Sequence, residues 1–167
     1  MKRNALKNYG FTMIEIVVVL IVLFIISAVV LSRFSTVLAI NSMVEAETLK
    51  SNLRYAEIRA LGDTLQPTGR PRWEIVFPNA TTYTLYRIDD NGNQVPVNMP
   101  SETPPSPTHI LPAGVSISFT STTVAFDDWS RPLDGSGNPW TESKTITIMD
   151  NTGVTTFTIT KNTGFIQ

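Results

Sequence analysis

Residues 11–31 read FTMIEIVVVLIVLFIISAVVL, an apolar run with one charge, Glu15. About 20 apolar residues suffice for a helix to span a bilayer core. A single-pass transmembrane helix over 11–31 is therefore the expectation. A fully buried core helix is the alternative, but a 167-residue chain is too small to enclose one on every side. Lys2, Arg3 and Lys7 precede the run, and Arg33 follows it alone. That basic excess would place the N-terminal side in the cytoplasm and the remainder across the membrane.

The helical signal continues past the apolar run. No proline or glycine occurs between residues 11 and 61, and Gly62 is a fitting C-terminal cap. Ala39, Met43, Ala46, Leu49, Leu53, Ala56 and Ala60 recur at steps of three and four, an apolar stripe of helical period. Glu45, Glu47, Lys50, Arg54, Glu57 and Arg59 lie mostly off the stripe, with Glu47 and Lys50 one turn apart. One helix over 11–61 is expected, its stripe packing on the chain's own sheet.

Composition changes at residue 62. All 11 prolines and every glycine but Gly10 lie in 62–167. Short alternating runs there read as strands: 72–77 (RWEIVF), 82–86 (TYTLY), 115–119 (VSISF), 144–149 (KTITIM) and 154–160 (VTTFTIT). Residues 78–80 form a turn between the first two, and 150–153 a hairpin loop between the last two. Ile146 and Ile148 share one face, as do Phe157 and Ile159 on the next strand. Residues 89–112, with six prolines, read as one long loop holding the lone histidine, His109. The expected fold class is α+β: a long N-terminal helix on an antiparallel sheet, one sheet face on the helix and one in water.

Charge and residue inventory exclude several function classes. Net charge is −1, and charged residues are 16% of the chain, below the ~25% of ordinary soluble domains. A general nucleic-acid-binding body is basic, and this one is not. With no cysteine there is no disulfide framework, thiolate metal site or thiol nucleophile. One histidine rules out a multi-histidine metal site. No glycine-rich phosphate loop or nucleophile elbow occurs. A signal-anchored enzyme is thus the least supported reading, and no cofactor is expected.

The segment Gly10-Phe11-Thr12-Met13-Ile14-Glu15, after a basic leader and before an unbroken apolar run, resembles the cleavage and methylation motif of type IV prepilins and type II secretion pseudopilins. The resemblance implies that prepilin peptidase cuts after Gly10 and that the new terminal residue, Phe11, is methylated. It also implies that Glu15 of one subunit neutralises the Phe11 amine of a neighbour during filament assembly. The chain would then divide into a leader (1–10), a helix (11–61, with 11–31 transmembrane) and a β-rich domain (62–167). Residues 53–60 (LRYAEIRA), the 126–132 segment (FDDWSRP, with Ser130 where relatives carry glycine) and the terminal hairpin with its closing 163–166 segment resemble the GspH/FimT group of minor pilins and pseudopilins. A structural subunit of a type II secretion pseudopilus or type IV pilus is the implied function. It would sit in the inner membrane, its β domain in the periplasm, with other pilin subunits as partners. The lack of a C-terminal cysteine pair, and of a proline just past the apolar run, departs from many major pilins. A major subunit remains one alternative.

Two further motifs hold candidate sites. Arg70, Arg72 and Trp73, in Gly69-Arg70-Pro71-Arg72-Trp73, place two guanidiniums beside an indole. Arginine grips phosphate bidentately and tryptophan stacks on bases. Similarity to the Gly-Arg-x-Arg motif of some FimT-type minor pilins makes DNA uptake the binding alternative; a strand start is the structural one. Asp134, Ser136 and Asn138 offer oxygens at alternate positions, a pattern open to calcium or to a simple turn, and Glu142 falls short of the bidentate position of an EF-hand loop.

Overall fold

A computed structural model describes residues 12–63, 72–151 and 153–167 and, within them, the side chains outside 30–41. Gly10, Phe11 and Arg70 lie outside the described residues. The chain divides into two compact units, 1–37 and 38–167.

The first unit contains the start of α1, which runs Met13–Gly62. Thr12 caps it. The Glu15 amide donates to the Thr12 hydroxyl at 3.3 Å, and the Thr12 amide donates to the Glu15 carboxylate at 3.4 Å. This reciprocal pair is a capping box, which satisfies two amides that have no partner inside the helix. Over 13–29 the described apolar side chains point outward on every side, from Met13 and Ile14 through Phe24 to Val29.

The inner-membrane, single-pass placement expected from 11–31 is not supported by the structure. Among the described residues no helix is long and apolar enough to cross a membrane. Within the described part of the run, residues 12–29, the Glu15 carboxylate interrupts the apolar character.

The second unit is an α+β body. Sheet A has the order β3-β2-β1-β6-β7, built from β1 (Trp73–Asn79), β2 (Thr82–Ile88), β3 (Gln94–Pro96), β6 (Thr123–Phe126) and β7 (Pro132–Leu133). β4 (Thr108–Ile110) also joins β2. Sheet B has the order β5-β8-β9, from β5 (Ser116–Ser118), β8 (Lys144–Met149) and β9 (Val154–Ile159). All pairings are antiparallel. The Ile117 amide donates to the Ala80 carbonyl at 2.7 Å, joining β5 to the β1–β2 turn.

The expected strands are present, but 89–112 is not one loop. Two short strands from it lie end to end along one edge of β2: β3 against Tyr86–Ile88 and β4 against Thr82–Thr84. Prolines are tolerated there because an edge strand needs only some of its amides.

The helical stripe carries the core. Ala46, Leu49, Leu53, Ala56 and Ala60 are completely buried, packed with Ile75, Leu85 and Val124 of sheet A and Ile146, Ile148 and Ile159 of sheet B. Met43, on the same expected stripe, is exposed; Ser42 and Asn52 are buried in addition. At the far end of α1, Asp63 takes hydrogen bonds from Trp73 Nε1 and Arg87 Nε, each 2.9 Å from Oδ2. The Arg87 hydrogen bond, ahead of the opposing effect of burial, holds the Asp63 carboxyl below its usual range.

The 127–131 turn and the tail complete this body. Ser130 adopts φ 65°, the left-handed conformation that suits glycine better than serine. Its hydroxyl donates to Glu57 Oε1 of α1. Gly164, also left-handed at φ 65°, lies so close to the Ser130 carbonyl that a Cβ there would collide with it. Burial raises the Glu57 carboxyl, and the Ser130 hydrogen bond opposes that rise. The tail then pairs with β9: the Gln167 amide donates to the Thr158 carbonyl at 3.0 Å, and the Thr160 amide to the Phe165 carbonyl at 2.9 Å.

Candidate functional sites

Arg72 and Trp73, the described members of the Arg-Pro-Arg-Trp motif, have separate surroundings. Trp73 opens β1 and is 2% exposed; Tyr55 meets its ring edge-on at 6.2 Å, and Arg59 lies over it at 5.0 Å. Its indole is spent on the helix–sheet contact, which leaves no face for a base. Arg72 points elsewhere, into a pocket of about 350 Å³ shared with Asp127, Arg131, Ser136 and Gly137.

Local hydrogen bonding builds this pocket. The buried Asp127 carboxylate caps its own turn: Oδ1 accepts the amides of Trp129 (3.0 Å) and Arg131 (2.9 Å). Oδ2 accepts Nε (2.8 Å) and Nη2 (2.7 Å) of Arg131. Four donors saturate it. Arg131 also lies 4.9 Å over the ring of Trp129, the one exposed tryptophan at 63%. On the opposite wall the Arg72 guanidinium rests on Gly137, where φ is +84° and a Cβ would occupy the place of Nη1. Among the described residues the Arg72 side chain has neither an ion pair nor a hydrogen bond. Sequence reading had no means of joining Arg72 to Arg131. They meet because β1 pairs with β6 and β6 with β7, a non-local arrangement.

The Asp134–Asn138 segment is a closed turn. Asp134 Oδ1 accepts the amides of Ser136 and Asn138, each at 2.9 Å, and the Gly137 amide reaches the Asp134 carbonyl at 3.0 Å. The Asn138 amide is the main cause of the lowered Asp134 carboxyl. The carboxylate thus faces N–H donors. The Ser136 and Asn138 amides occupy the oxygen that a cation would need.

A second polar cluster ties β4 to α1. His109 Nε2 lies 2.7 Å from Glu45 Oε2, and Nδ1 lies 2.6 Å from Glu102 Oε1. Its ring stacks on Tyr83 at 4.8 Å. The Tyr83 hydroxyl accepts from Asn52 Nδ2 at 3.1 Å, and Ser101 Oγ donates to Asn52 Oδ1 at 3.0 Å. The Glu45 hydrogen bond raises the histidine pKa, against the lowering effect of burial and with help from Glu102. Burial raises the Tyr83 hydroxyl.

The site at the start of α1 has Glu15 turned back onto Thr12, a contact that the Thr-x-x-Glu spacing could have disclosed. Comparison with known proteins adds no relative: no family model, curated protein or solved structure matches this chain.

Proposed function

We propose that this chain is a structural subunit of a helix-cored filament, a minor pilin or pseudopilin of the GspH/FimT kind. One observation carries the reading: residues 13–29 form a helix that is apolar all round and exposed in a single chain, with Phe24 74% exposed. A helix of this kind needs cover on every face. Equivalent helices of other copies supply such cover, as they do in a filament core. Glu15 is the one charge in this stretch, and it fits the pairing with a neighbour's Phe11 amine that follows cleavage after Gly10.

The absence of cysteine allows a direct test. Single cysteines are placed at successive positions across 16–29 in chains coexpressed with a prepilin peptidase, and disulfides between copies are induced by mild oxidation. Multimer ladders with a helical dependence on position are expected, from mature chains whose N-terminal residue is Phe11. Chains that stay monomeric at every position would overturn the filament reading. Normal processing of Gly10→Ala would overturn the prepilin reading.

A further inference from the structure

The pocket between Arg72 and Arg131 has no part in packing helices. Its electrostatics are one-sided. Asp127, the one carboxylate lining it, is saturated by Arg131 and by two amides, and it lies on the Arg131 wall. Arg72 brings five N–H donors to the opposite wall and meets no carboxylate among the described residues. Asp134, in the neighbouring turn, is held by the amides of Ser136 and Asn138. Arg131 is clamped between Asp127 and Trp129, and the Arg72 guanidinium lies close over Gly137, in space that the glycine leaves open.

From this arrangement we infer that the pocket is an oxyanion site that takes a phosphate group between Arg72 and Arg131. Donors converge from three separate segments: the residue before β1, the 127–131 turn and Ser136 at the rim. A tetrahedral oxyanion has acceptors for several walls at once, whereas a planar carboxylate satisfies one guanidinium fork. The Arg131 guanidinium, already held by Asp127 and Trp129, loses little side-chain freedom on binding, which favours affinity. The volume admits either free phosphate or a phosphate group carried on a larger molecule.

The test uses the full chain at constant ionic strength, titrated with inorganic phosphate, with sulfate, with acetate and with a single-stranded oligothymidylate. Melting temperature and tryptophan fluorescence are followed, since Trp129 is exposed beside Arg131 while Trp73 and Trp140 are buried. At ten times the half-saturating phosphate the melting temperature should rise by roughly 5 °C. Sulfate should act similarly and acetate at least tenfold more weakly. Arg72→Gln should abolish the response while melting normally in chloride. Ser136→Glu, which supplies a tethered carboxylate at the rim, should also abolish it and serves if Arg72→Gln fails to fold. Between the inorganic ion and the oligonucleotide, the one that saturates at lower phosphate concentration identifies the source. No response to either, an equal response to acetate, or a response that survives both substitutions would overturn the inference.

Discussion

Nε2 of His109 lies 2.7 Å from Oε2 of Glu45, while the other ring nitrogen faces Glu102. With a carboxylate on each side, both nitrogens must donate, so the bound form is the imidazolium. One proton therefore joins the edge of sheet A to α1.

The pH dependence follows from the direction of the shift. His109 is raised above its ordinary value in the folded chain. Its contribution is fully present below the unfolded value of about 6.5 and is lost as pH rises through the higher folded value. Unfolding in urea at a series of pH values should show stability falling from about pH 6.5 upward. His109→Gln should flatten that slope and lower stability by about 1–3 kcal/mol at pH 6, because it leaves a poorly matched carboxylate at each end. An unchanged slope in the variant would contradict the assignment.

Glu15 has two separable roles, as a cap within its own helix and as the proposed charge partner of a neighbouring Phe11 amine. Glutamine can replace glutamate in a capping box. Glu15→Gln should therefore retain the whole cap, while Glu15→Ala loses the acceptor for the Thr12 amide and keeps the bond from its own amide to the Thr12 hydroxyl. Both should reduce disulfide multimers of a Val19→Cys chain by tenfold or more if the charge sets assembly. Multimer yield preserved in Glu15→Gln and lost in Glu15→Ala would assign the residue to capping alone.

The left-handed Ser130 yields an ordering of variants. Ser130→Ala keeps the unfavourable backbone conformation and deprives Glu57 of its donor. Ser130→Gly loses the same donor but relieves the backbone by about 1 kcal/mol. By chemical denaturation the alanine variant should be less stable than the glycine one by about that amount. Gly164→Ala should be worse than either, since its Cβ meets the Ser130 carbonyl. An alanine variant at 130 as stable as the glycine one would show that the turn relaxes.

Two residues of the same helical stripe should behave oppositely. Leu53 is completely buried in the core, and Leu53→Ala should cost about 2–5 kcal/mol. Met43 is exposed, and Met43→Ala should change stability by less than about 0.5 kcal/mol in the isolated chain. Equal losses would mean that Met43 is covered.

What was legible in the sequence was periodic or local. Leu49, Leu53 and Ala56 declared a buried face by their spacing, and Ile146, Ile148, Phe157 and Ile159 declared theirs by alternation. The rest depends on partners distant in sequence. An indole beside two arginines reads alike whether it stacks on a ligand or, like Trp73, is buried against the edge of Tyr55. Arg72 meets the 131 turn only through the pairing of three strands. The six prolines of 89–112 concealed β3 and β4, since propensity disfavours strands that an available edge nonetheless accepts. His109 passed as an ordinary loop residue because Glu45 lies 64 positions away.

The bond from Trp73 to Asp63 has a practical consequence. Two points ten positions apart in the chain are fastened at 2.9 Å, with Arg87 gripping the same carboxylate. One oxygen is thus shared by two strands: Trp73 of β1 and Arg87 of β2 both close on the end of α1, so removing the carboxylate, as in Asp63→Ala, would free both strands from the helix end at once.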